Sequence, residues 1–87
     1  MPYIKQEDRN RINRGECPQT CGELNYGIHI MLEQYLSTHE DNYQTYNDMI
    51  GALEAAKLEL YRRRVALYED KKVQENGDIE FYRKDDA

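Results

Sequence analysis

Apolar residues recur along most of this chain at intervals of three and four, the period of an amphipathic helix. Leu24, Ile28, Met31, Leu32 and Tyr35 fall at i, i+4, i+7, i+8 and i+11. They predict a helix over about 20–37 with one apolar face. Thr20 and Glu23 form the T-x-x-E capping box that starts it, and the pattern fades around Ser37–His39. A longer run follows over 41–74. Between Asn42 and Gln74 there is no proline, the one glycine is Gly51, and strong helix formers fill Ala52 to Leu67. Asp41 with Gln44 is the expected capping box, and Asn76-Gly77 is the expected stop.

That second helix carries two apolar stripes. Tyr46, Met49, Ile50, Leu53, Ala56, Leu60 and Leu67 make one, and Leu58, Tyr61, Val65 and Tyr68 make another. Some 30 helical residues extend roughly 45–50 Å. A compact domain of this size has a radius of gyration of only about 12 Å. The short link after Ser37 predicts an antiparallel hairpin, in which the 20–37 helix covers the stripe through Leu53 and Leu60. The other stripe is then left for a second copy of the chain.

The remaining segments are short. Lys5 to Asn13 reads as a brief helix with Ile12 inward, ended by Gly15, and a loop around Pro18 follows. Gly22 and Gly27 sit early in the next helix, where glycine is unfavourable, so they predict close approach of another backbone. After Gly77, Ile79, Phe81 and Tyr82 alternate and predict an extended arm, with a frayed end over Lys84–Ala87. The expected fold is therefore all-α: one small helical domain over 1–87, in an oligomeric assembly. It has a short N-terminal helix and loop (1–19), a helical hairpin (20–74), and a turn with a C-terminal extended arm (75–87).

Composition narrows the partners. At 87 residues the chain makes a modest core and is marginal alone, which again favours a homo-oligomer. Its 17 acidic and 12 basic residues give a net charge of −5, which argues against general DNA or RNA binding, where phosphate neutralisation dominates. The opening MPYIKQEDRNR lacks a leader's apolar segment and no run has transmembrane length, so a cytoplasmic protein with no membrane partner is expected, with Cys17 and Cys21 as free thiols. Tyrosine is enriched: eight, against one phenylalanine and no tryptophan. Such residues suit interfaces and pockets with one wet end.

Candidate chemistry is sparse. Arg62, Arg63 and Arg64 are the densest basic cluster, and guanidinium forks match phosphate oxygens bidentately. With Tyr61 and Tyr68 they predict a pocket for a small anionic nucleotide at a subunit junction. The plainer alternative pairs these arginines with Glu54, Glu59, Glu69 or Asp70 on solvated faces. Asn25 and Tyr26 follow Glu23 in the first turns of their helix, where free amides favour an anion, although capping is the duller account of Glu23. Cys17, Cys21, His29 and His39 are spread too far for one zinc ion, since His39 lies roughly 25 Å from the cysteine end of its helix. Glu54, Glu59, Glu69 and Asp70 lack the paired E-x-x-E and E-x-x-D spacing of helical nucleotide pyrophosphatases. No catalytic residue, metal or cofactor is therefore expected, and the chain reads as a non-enzyme.

MPYIKQEDR at the start, GELNY at 22–26, MIGALEAAKLELYRR at 49–63 and YEDKKVQENGD at 68–78 resemble a family of small tailed-phage and prophage proteins that carries no assigned activity. The chain departs from that pattern at Cys21, where proline is expected. The resemblance implies a phage setting, in the host cell cytoplasm. Small acidic phage proteins without catalytic motifs often counter host defence. Some sequester immune nucleotide signals, cyclic oligonucleotides or ADP-ribose derivatives, in pockets between helical subunits. That sponge is the leading functional expectation, by analogy of architecture. The alternatives are an acidic inhibitor that contacts a host defence or nucleic-acid-binding protein, and a virion or replication accessory protein.

Overall fold

A computed structural model of the chain describes residues 1–83. Five α-helices and one π-helical turn account for its regular structure, and no strand occurs among the described residues. They are α1 (Gln6–Asn13), α2 (Cys21–Ser37), α3 (Tyr43–Leu60), the π-turn (Tyr61–Val65), α4 (Ala66–Asn76) and α5 (Glu80–Arg83). The all-α expectation holds. The chain divides into two compact units, with the boundary between Met49 and Ile50 inside α3.

In the first unit α1 packs on α2. Ile12 is the buried hydrophobic residue there, at 9% exposure. Glycine allows the close approach. A Cβ on Gly22 would stand 3.0 Å from Ile4 Cγ2 and 3.4 Å from the Met1 carbonyl, and one on Gly27 would stand 3.7 Å from Ile12 Cγ2. The capping box at Thr20 forms: the Glu23 amide donates to Thr20 Oγ1 at 3.1 Å. The Glu23 carboxylate accepts from the Gln19 amide at 3.1 Å, one residue earlier than the usual reciprocal bond. Glu23 is also ion-paired to Arg11 on α1 at 3.0 Å, although it is only 5% exposed. Arg11 also bonds Asp8 at 3.0 Å. These two acceptors, Asp8 first and then Glu23, raise the Arg11 pKa above its ordinary value. A charged clamp thus does at this junction what a larger apolar core does elsewhere.

The expected start of the long helix is corrected. The cap is Asn42, whose Oδ1 accepts from the Thr45 amide at 2.9 Å, and the helix begins at Tyr43. Gln44 donates to Asp48 along the helix surface and so does not close a box with Asp41. The far end is as expected: Gly77 takes a φ of +86°, in the region glycine favours, and its amide donates to the Val73 carbonyl at 2.8 Å. The extended C-terminal arm is also corrected. Glu80–Arg83 is helical, the Tyr82 amide reaches the Ile79 carbonyl at 3.2 Å, and Phe81 meets Tyr82 edge-on at 5.1 Å. Asp78 starts this turn, its carboxylate accepting from the Ile79 amide at 2.8 Å. The frayed end expected over Lys84–Ala87 lies outside the described residues.

Candidate binding face on the long helix

From Ile50 onward nothing among the described residues is fully buried, and Ile50, Leu58, Leu60, Tyr61, Leu67 and Tyr68 are all exposed. The π-turn determines how these residues are aligned. The Ala66 amide bonds the Tyr61 carbonyl, five residues back rather than four. A π-turn takes roughly 4.4 residues and an α-turn about 3.6, so residues beyond Val65 lag by roughly 80° against an unbroken α-helix.

This lag resorts the two stripes expected from the sequence. Tyr68 rotates away from Leu58 and onto the line of Leu53 and Leu60, while Leu67 rotates off it. Tyr61 and Tyr68, seven residues apart, would share a face of a regular helix; here they are separated by roughly 100°. One π-turn plus one α-turn is about eight residues, so Tyr61 stands directly over Glu69. The Tyr61 hydroxyl indeed donates to Glu69 Oε1. That bond and the charge of Glu69 raise the Tyr61 pKa above the ordinary 10.0. Because the folded value is raised, the contribution of this bond is present in full below pH about 10 and fades as pH climbs through the folded value. Glu69→Gln is expected to bring the Tyr61 phenol back toward its ordinary titration, followed by NMR of labelled tyrosine.

The three arginines part company. Arg62 Nη2 donates to both carboxylate oxygens of Glu59, at 3.1 and 3.0 Å, and Arg63 reaches the same carboxylate at 3.9 Å. For these two the plainer expectation, pairing on a solvated face, is what the structure shows. Arg64 makes no ion pair or hydrogen bond among the described residues. It lies four residues after Leu60 and four before Tyr68. Lys72 is four further on, with its ammonium 5.6 Å from the Tyr68 ring centroid, within cation–π range. Leu60, Arg64, Tyr68 and Lys72 therefore run up one exposed line: apolar, cation, aromatic ring, cation. Lys72 also pairs with Glu75 at 3.1 Å. Its part in this line was not read from the sequence, although the four-residue spacing was visible there; the two-stripe reading obscured it.

Asn25 and Tyr26 belong to the first unit, and each has a local role. The Asn25 backbone carbonyl accepts from His29 Nδ1 at 2.9 Å, and the Tyr26 hydroxyl donates to Asn13 Oδ1 on α1 at 2.9 Å. Cys17 and Cys21 are free and exposed. Among the described residues no cluster of three or more His, Cys, Asp or Glu is placed to hold a metal ion, and no helix is long and apolar enough to cross a membrane.

The described residues thus make an all-helical chain that carries this exposed line in its second unit. The chain belongs to the family described as "Domain of unknown function (DUF6899)", whose family model matches residues 1–79. No curated protein and no solved structure gives a match.

Proposed function

We propose that this protein is a non-catalytic binding protein that works as a homo-oligomer and sequesters an anionic nucleotide signal at its subunit junctions. The setting is phage counter-defence in the host cytoplasm, as the sequence resemblance implies. The observation that carries the reading is the exposed line Leu60–Arg64–Tyr68–Lys72. Leu60 at its lower end gives a second copy an apolar anchor. The Tyr68 ring offers a face for a base, and Arg64 and Lys72 on either side of it offer donors to phosphates.

Antiparallel pairing of α2 with the first turns of α3, invited by the short connector, is part of the same reading. So is the role of Leu24 and Met31, which are exposed in the isolated chain and give α2 an apolar face for other copies to cover.

Calorimetry against cyclic di- and trinucleotides and ADP-ribose tests the proposal. At least one is expected to bind, to be recovered intact after heat denaturation, and to lose about tenfold or more in affinity with Arg64→Gln, while Arg62→Gln changes little. Absence of binding to all of them by a stable oligomer refutes it, and recovery of a hydrolysed product assigns an enzyme instead.

A further inference from the structure

A second place in the molecule gathers cationic and aromatic groups, and it lies wholly within the first unit. Pro2, Tyr3, Arg9, Tyr26 and His29 line a cleft of about 220 Å³. No carboxylate lines it, in a chain where acids outnumber bases by 17 to 12. Arg9 is fixed there. Its Nε donates to the Ile4 carbonyl at 2.8 Å, and its guanidinium carbon stands 5.9 Å from the Tyr26 ring centroid. One edge of the guanidinium is thereby used in holding its plane, and neither terminal nitrogen has a partner among the described residues. A fork with two free amino groups, held in place, is the group that recognises phosphate.

The other walls are held as well. A carbonyl can only accept, so His29 Nδ1 carries the proton toward Asn25, and Nε2 is the nitrogen left for a ligand. The Tyr26 hydroxyl is committed to Asn13, which leaves the ring face as its contribution. Tyr3 is 75% exposed and makes no hydrogen bond through its hydroxyl among the described residues, so its ring is free to close on a base. The cleft is smaller than the 300 Å³ or so at which drug-sized pockets begin, which suits one base and one phosphate rather than a cyclic oligonucleotide.

We infer that this cleft is a binding site for a nucleoside monophosphate, with the phosphate on the terminal nitrogens of Arg9 and the base against Tyr3 and Tyr26. The site is independent of the junction proposed above. It stands on one chain and needs no second copy.

The test uses the full chain, with adenosine monophosphate, adenosine and inorganic phosphate compared by calorimetry and by NMR of the ring signals. The monophosphate is expected to bind and to shift the Tyr26 and His29 signals, with adenosine and phosphate each weaker by about tenfold or more. Arg9→Gln is expected to weaken the monophosphate by about tenfold or more. Tyr3→Ala, at an exposed position that leaves the fold intact, is expected to weaken it roughly fivefold or more. Arg14→Gln, outside the cleft, is expected to change nothing. The inference is overturned if the monophosphate leaves the Tyr26 and His29 signals in place or if a phosphotyrosine peptide binds in preference to it. Loss of binding with Arg64→Gln but not with Arg9→Gln overturns it too, because that assigns the ligand to the second unit.

Discussion

Leu60→Lys is expected to convert the proposed homo-oligomer to a monomer, with the mass from light scattering falling to that of one chain, while the helical circular dichroism of the isolated chain is retained. In the single chain the Leu60 side chain is 61% exposed, so exchange for lysine there falls among surface substitutions, worth within about 0.5 kcal/mol. At a junction the same ammonium is taken out of water beside Arg64 with no carboxylate on its line, and burial of an unpaired charge costs several kcal/mol, roughly a thousandfold or more in association. Leu58→Lys is the matched control. Leu58 is 58% exposed, nearly the same, but lies on the opposite side of the helix from Leu60. It is expected to leave the mass unchanged. If both variants stay assembled, the Leu60 line is not the interface. If both dissociate, the helix is covered all round and the line has no special standing.

What the π-turn adds is the alignment of Leu60 with Tyr68, and the reason a sequence does not carry it is physical. Helix identity was legible: the apolar spacing in α2, the capping box at Thr20, the run of strong formers after Ala52 and the stop at Gly77 all report local energetics, which a sequence carries directly. The phase of the long helix beyond Leu60 was not legible. Tyr-Arg-Arg-Arg-Val has no proline or glycine to mark a defect, and a shift from four-residue to five-residue bonding leaves no compositional trace. One wide turn was enough to exchange Leu67 for Tyr68 on the exposed line and to pair Tyr61 with Glu69 instead of with Tyr68.

The candidate sites divide in the same manner. The arginine cluster was found from composition, yet which arginine stands free depended on Glu59 engaging its two neighbours. Tyr26 was singled out for its place at a helix start. Arg9 and His29, which share its cleft, come from residues well separated along the chain, brought together by α1 packing on α2. The trace of that packing lay in Gly22 and Gly27, whose missing side chains admit Ile4 and Ile12. It signalled a close approach without saying of what.

The largest stability effect is expected from Glu23→Ala. Thr20→Ala, which removes a helix cap alone, sets the scale at about 1 kcal/mol. Glu23→Ala removes more: the carboxylate that accepts from the Gln19 amide, and the α2 end of the clamp to Arg11. Glu23 is almost wholly buried, so its charge is already desolvated and its bonds are stronger than their surface equivalents. A loss of about two to three times the Thr20→Ala value follows, and in a domain of this size that lowers the melting temperature by roughly 10–15 °C. Glu23→Gln keeps the shape and the acceptor for Gln19 but loses the charge, and is expected to fall between wild type and Glu23→Ala. Pairing Glu23→Ala with Arg11→Met in a double-mutant cycle is expected to cost less than the sum of the two, because both single changes remove the same Arg11–Glu23 ion pair. Thermal and urea unfolding decide it. A Glu23→Ala variant no weaker than Thr20→Ala shows that apolar contact around Ile12 holds α1 on its own. If the clamp governs, the same variant also releases Arg9 from Tyr26, since one is carried by α1 and the other by α2, and the cleft between them opens before the long helix melts.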